Sequence, residues 1–156
     1  MKGHQFKVNV TWTGNKGEGT KDYKSYSRDH VITIEGKQVI QGSSDPVYRG
    51  DGSKHNPEDM FLSAVSTCHM LWYLHICADH GIVVTSYRDD AVCMLDDNHP
   101  EGGRFTEITL HPHVVITDEK MINKANELHE LANSKCFIAN TLNIPVRHQP
   151  SCEAAG

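Results

Sequence analysis

The sequence predicts an α+β fold, on three observations. Strand-like alternation opens the chain. One long apolar helix occupies its middle. Two further strand patterns, two helical patterns and a last strand then follow in runs rather than in βαβα alternation, which argues against a parallel sheet wound through crossover helices. At 156 residues the chain is long enough to bury a core without staples, so residues 1–156 are expected as a single domain with a loose C-terminal tail over 150–156. There is no internal repeat and no low-complexity segment.

The elements follow in order. "HQFKVNVTW" alternates, with Phe6, Val8, Val10 and Trp12 on one face and Gln5, Lys7, Asn9 and Thr11 on the other, the pattern of a half-buried strand. "GNKGEG" is a turn or loop. "KDYKSYSRDHVITI" is polar but β-inclined, and "EGK" makes a hairpin turn into "QVIQG". Residues 42–55 are a loop by composition.

"NPEDMFLSAVSTCHMLWYLHICADHG" is a helix with signals at both ends. Asn56 is a good N-cap, Pro57 suits the first helical position, and Glu58 and Asp59 favour the positive end of the dipole. Gly81 is the expected C-terminal glycine. The interior is apolar nearly all round, which predicts a central helix. "IVVTSYRDDAVCML" and "RFTEITLHPHVVIT" predict two long strands joined by "DDNHPEGG". Residues 118–134 repeat apolar positions at Met121, Ile122, Ala125, Leu128, Leu131 and Ala132, a helical period. A break at Asn133-Ser134 leads to a second short helix over 136–142. "NIPVRHQ" is a final strand.

Composition excludes several classes. The formal charge of −5 gives no electrostatic reason to bind nucleic acid. The longest apolar stretch is broken by Ser, Thr and His and reads as a core helix, not a membrane span. The N-terminus lacks a signal-peptide apolar region, and five irregularly spaced cysteines do not make a secreted disulfide framework. The expected location is the cytoplasm.

The chemistry concentrates on cysteine. "STCHMLWYLHICADHG" places Cys68 inside the long helix, about twelve residues from its start and beyond the reach of the dipole. Any thiolate there needs a nearby cation. Cys136 opens the short helix, where free N–H groups favour a thiolate. Two such residues could form a peroxide-reducing pair, one attacking the O–O bond to become sulfenic acid and the other resolving it as a disulfide. Inert packing is the competing reading for any mid-helix cysteine. It suits Cys77 and Cys93, while Cys152 falls in the tail and is expected to be exposed and incidental. Cys68, His69, His75, Cys77 and His80 form no metal-binding spacing and scatter over several helix faces, so no metal site is expected. The eleven histidines are dispersed along the chain.

"HNPEDMFLSAVSTCHMLWYL", "GIVVTSYRDDAVCM" and "HELANSKCFIANTLNIPV" together resemble the OsmC/Ohr superfamily of osmotically induced and organic hydroperoxide resistance proteins. The shared features are an Asn-Pro-Glu helix start, a cysteine ten residues after that glutamate, and a second cysteine near the start of a later helix. The resemblance extends over nearly the whole chain. It implies antiparallel sheets packed on a long central helix, an intertwined homodimer with active sites at the interface, and a thiol peroxidase acting on organic hydroperoxides. On this resemblance Cys68 matches the peroxidatic cysteine, Cys136 the resolving one, Glu58 the family's glutamate and Arg49 its arginine, with Arg28 next in line. The arginine would stabilise thiolate and departing oxygen, and the glutamate would hold the guanidinium. Phe137 stands where Cys-Pro is common in OsmC proteins.

Spacing adds a geometric point. Glu58 and Cys68 are ten residues apart, about 15 Å along a straight helix, so Arg49 and Glu58 would serve the Cys68 of a second subunit. The expectation is a Cys68–Cys136 disulfide cycle with no metal, haem or flavin, fed by a small or protein-bound dithiol or a lipoyl-type reductant. Met60, Phe61, Trp72 and Phe137 are candidate pocket residues that serve equally well as core. The alternative is a fold relative without peroxidase activity that binds a small apolar or thiol ligand.

Overall fold

The computed structural model describes residues 3–156. The chain divides into two compact units, Met1–Met60 and Phe61–Gly156.

The first unit is an antiparallel meander of β1 (Asn9–Trp12), β2 (His30–Thr33) and β3 (Ile40–Gly42). The alternation over residues 4–12 becomes regular strand only from Asn9, and its apolar face is not half-buried: Phe6 is 90% exposed and Val10 60%. A three-stranded sheet with no second layer of its own leaves that face open. The loop after β3 holds one 3-10 turn, Pro46–Tyr48, capped by the Asp45 carboxylate accepting from the Val47 N–H. It ends on Arg49 in the left-handed region at φ 67°. Gly50 follows because a Cβ there would collide with the Ser44 carbonyl.

The long helix α1 runs Pro57–Asp79, bounded as its local signals require. Asn56 Oδ1 accepts from the Asp59 N–H at 2.8 Å. At the other end Gly81 sits at φ 71°, its N–H bonded to the Ala78 carbonyl and the Ile82 N–H to Cys77. That is a Schellman cap, with buried Ile82 as its hydrophobic anchor. By length and composition α1 could cross a membrane. In this fold it packs one face only, through Val65, His69, Tyr73, Ile76 and Cys77. The all-round burial expected of a central helix is absent, since Leu71 is 63% exposed.

In the second unit each predicted long strand is two strands in different sheets. β4 (Val84–Asp89) pairs antiparallel with β7 (Pro112–Ile116), while β5 (Val92–Asp96) pairs antiparallel with β6 (Arg104–Leu110). Asp89 holds the break: its carboxylate accepts from the His111 N–H at 2.7 Å and from the Ser66 hydroxyl of α1 at 2.5 Å. β8 (Val146–His148) joins β6, and β9 (Ser151–Ala154) joins β7, both in parallel. Two of the three sheets are therefore mixed rather than antiparallel. The expected loose tail over 150–156 is largely the strand β9, and Cys152, expected to be exposed, packs half-buried on the core.

A 3-10 turn at Glu119–Met121 precedes α2 (Ile122–Lys135), which continues past the expected break to Lys135. The break comes at Cys136, before α3 (Phe137–Thr141). One core cluster joins Tyr73, Ile76 and Cys77 of α1 to Ala125, Leu128 and Ala132 of α2 and to Val114 and Ile116 of β7. A second joins Val65 to Ile108, Leu110 and Val146.

Candidate active site

Cys136 lies at the kink between α2 and α3. Its own N–H still bonds to the Ala132 and Asn133 carbonyls, but its backbone is extended, and its Sγ accepts from the Ala139 N–H at 3.4 Å. Asn140 ties the kink back through the Ser134 carbonyl at 3.1 Å. The residue is buried, and its thiol lies near enough to Cys68 of α1 for the two groups to interact. The fold thus brings the two cysteines singled out by sequence close together. Both are free thiols, and the buried one is Cys136, while Cys68 is half-buried.

The expected thiolate character of Cys136 is overturned. Burial, reinforced by the contact with Cys68, pushes its thiol up to about 11, and the Ala139 and Ile138 N–H groups oppose this without prevailing. A helix of five residues has too small a dipole to offset desolvation.

Trp72 follows Cys68 by one helical turn and meets Phe137, the neighbour of Cys136, edge to face at 5.6 Å between ring centroids. Phe137 is 70% exposed. Leu71, Trp72 and His75 line an open cleft of about 220 Å³. Phe61 instead stacks on Phe105 at 4.5 Å and packs on the second core cluster, and Met60 is half-buried.

The residues expected to activate Cys68 fall in the first unit. Arg49 is exposed at the end of its turn, and Glu58 is in the first turn of α1. No ion pair joins them among the described residues, and Glu58 Oε2 is buried without a hydrogen-bond partner. Arg28 is committed elsewhere. Its guanidinium lies 4.2 Å from the centroids of both Tyr23 and Tyr26 and donates to the carbonyls of the same two residues at 2.7 Å.

A feature not anticipated from the sequence is a buried stack of histidines. His69 Nε2 and His129 Nδ1 share a hydrogen bond of 2.9 Å, and the Tyr73 ring lies on His129 at 3.9 Å. His148 stacks on His69 at 5.7 Å, and its Nε2 is 3.3 Å from Glu130. Burial first, then the neighbouring imidazoles, lowers His69 to about 4 and His129 to about 3. No group of three potential ligands suited to a metal ion occurs among the described residues. The only sequence signal was the four-residue spacing of His69 and Tyr73 on one helix face.

Comparison with known proteins agrees with this architecture. The family model for OsmC-like proteins matches residues 50–150. An OsmC-like protein of unknown function from Vibrio cholerae has a solved structure that is 31% identical, covers 94% of this chain and 99% of its own, and superposes with a TM-score of 0.86. The uncharacterized protein YmaD of Bacillus subtilis is 24% identical over 100% of this chain and 99% of its own length. An organic hydroperoxide resistance protein from Elizabethkingia anophelis shares the fold at 19% identity, with a TM-score of 0.71 over 96% of this chain and 99% of that one. This chain belongs to the OsmC-like family.

Proposed function

We propose that this protein is a cysteine-based peroxidase that reduces organic hydroperoxides. The observation that carries the reading is the proximity of the Cys68 and Cys136 thiols, which are near enough to influence each other's protonation. The Cys68 thiolate attacks the terminal oxygen of ROOH, breaking the O–O bond. It becomes sulfenic acid, and the alkoxide leaves as ROH after taking a proton. The Cys136 sulfur then attacks the Cys68 sulfur and expels water, so the two thiols together have given two electrons to the peroxide. A dithiol of lipoyl type reduces the disulfide. No metal, haem or flavin takes part.

Arg49 and Glu58 act from the partner subunit of a homodimer in this reading. The exposed Leu71, Phe137 and Val10 support a second copy covering part of the surface. The Trp72–Phe137 pair beside the cysteines favours bulky organic peroxides over hydrogen peroxide. A protein that shares the fold is named for organic hydroperoxide resistance, which agrees with the substrate class. The proposed location is the cytoplasm. One equivalent of cumene hydroperoxide followed by peptide mass spectrometry tests the reading. A 68–136 disulfide is expected, and two unmodified thiols would favour an inactive relative that binds a small ligand.

A further inference from the structure

We propose that the buried His69–His129 hydrogen bond is a latch that sets α1 against α2 so that Cys68 and Cys136 can close into a disulfide, which makes both histidines positioning residues for closure. The consequence for turnover rests on the peroxidase reading, whereas closure itself does not.

His69 is the residue after Cys68, and α2 carries His129 seven residues, about two turns, before Cys136. The nitrogen–nitrogen hydrogen bond and the approach of the two thiols therefore connect the same two stretches of chain. A second polar tie lies one turn away: the Tyr73 hydroxyl donates to the Ala125 carbonyl at 3.0 Å. Going from the first tie to the second means four residues forward on α1 and four back on α2. The helices are antiparallel at this point, and two directional ties one turn apart oppose both sliding and rolling.

Apart from these ties and the Tyr73–His129 ring stack, the core cluster joins the two helices through apolar side chains, those of α2 including the small Ala125 and Ala132. Such a surface holds helices together without fixing their offset to a fraction of an ångström. Disulfide closure demands that offset, because the bond tolerates only a narrow range of Cα separations.

Stability alone does not account for the histidines. His69 and His129 are 1% and 0% exposed, and each keeps a buried ring nitrogen, Nδ1 of His69 and Nε2 of His129, with no hydrogen-bond partner among the described residues. Each orphan costs about 1–3 kcal/mol. Replacing both partners by apolar groups of similar shape is near neutral or stabilising by the same reasoning. The polar pair gives the helix contact a direction that leucine would not.

The test is the rate of Cys68–Cys136 closure with diamide, which takes two electrons and two protons from two thiols whether or not the protein is a peroxidase. Full-length protein is compared in wild-type, His129→Asn, His69→Gln and His69→Leu/His129→Leu forms. Asparagine keeps a polar atom near the Nδ1 position, and glutamine keeps one near Nε2. The double leucine variant should melt at or above the wild-type temperature yet close at least about tenfold more slowly, in line with the cost of small misplacements of reacting groups. The two conservative variants should stay within about threefold of wild type. Wild-type closure in a folded double leucine variant overturns the latch. So do conservative variants as slow as the double leucine one, and so does a wild type that does not close. Should the double leucine variant fail to fold, the conservative pair alone decides. Closure with diamide but not with cumene hydroperoxide overturns the peroxidase reading and leaves the latch standing.

Discussion

Cys136 lies beside Cys68 in a position where its thiol is both buried and pushed up to about 11. The pair is close, but its second member rests in the protonated form at neutral pH. The order of events in the proposed cycle follows from that asymmetry, and so do the first two expectations.

Cys68→Ser should abolish consumption of organic hydroperoxide, since a serine hydroxyl is far too weak a nucleophile at neutral pH. Cys136→Ser should reduce one equivalent rapidly, then stall as Cys68 sulfenic acid and drift to the sulfinic form in excess peroxide. Stopped-flow consumption with dimedone trapping distinguishes the two variants. Stalling in Cys77→Ser instead would move the resolving role onto α1.

Resolution should accelerate with pH. The Cys136 thiolate is a minority species below about 11, because burial disfavours the charged sulfur. Its fraction rises about tenfold per pH unit up to that value. Closure of preformed Cys68 sulfenic acid should therefore keep climbing through pH 9, with no plateau near the ordinary cysteine value. Rapid-quench mass spectrometry from pH 6 to 9 gives the profile, and a plateau by pH 7 would show that Cys136 ionises more easily once Cys68 is oxidised.

Arg49→Ala should slow the first peroxide step by about 10²–10³-fold, the range for losing one preorganised donor, and Arg49→Lys should restore little of it. Arg28→Ala should leave that step alone and loosen the Tyr23–Tyr26 segment, as expected of a guanidinium held between two rings. Mixing an inactive Cys68 variant with an inactive Glu58 variant should recover activity through hybrid dimers. Confirmed heterodimers with no recovery would place each site within one chain.

Acid should destabilise the fold through the histidine pair. Both imidazoles are neutral when folded, with values lowered to about 4 and about 3, so the unfolded chain binds more protons as pH falls below about 6.5. The contribution is complete above that pH and is lost on the way down, at about 1.4 kcal/mol per pH unit for each histidine. Urea midpoints between pH 7 and 4.5 should show this slope in wild type, and a much smaller one in the double leucine variant.

The sequence by itself determined the bounds of α1 and singled out the two cysteines proposed to react. Asn56, Pro57 and Gly81 act on backbone groups within a few residues of themselves, so a capping signal can be read without knowing the rest of the chain. Cys68 and Cys136 could be picked out by type and by family resemblance. Only the tertiary structure decided where each predicted long strand divides, because the Asp89 carboxylate that stitches the break reaches both Ser66 and His111. It also drew the C-terminal segment into a parallel pair with β7, which no local pattern announces. The same holds for the electrostatics. A helix start at Cys136 is visible in sequence and argues for a thiolate. The desolvation that overrides it belongs to everything packed around the sulfur. His69 and His129 lie sixty residues apart and read as unrelated until α1 and α2 pack antiparallel and leave their nitrogens only each other to bond. Capping and periodicity are local in the chain, whereas burial and pairing are set by chain segments distant in sequence.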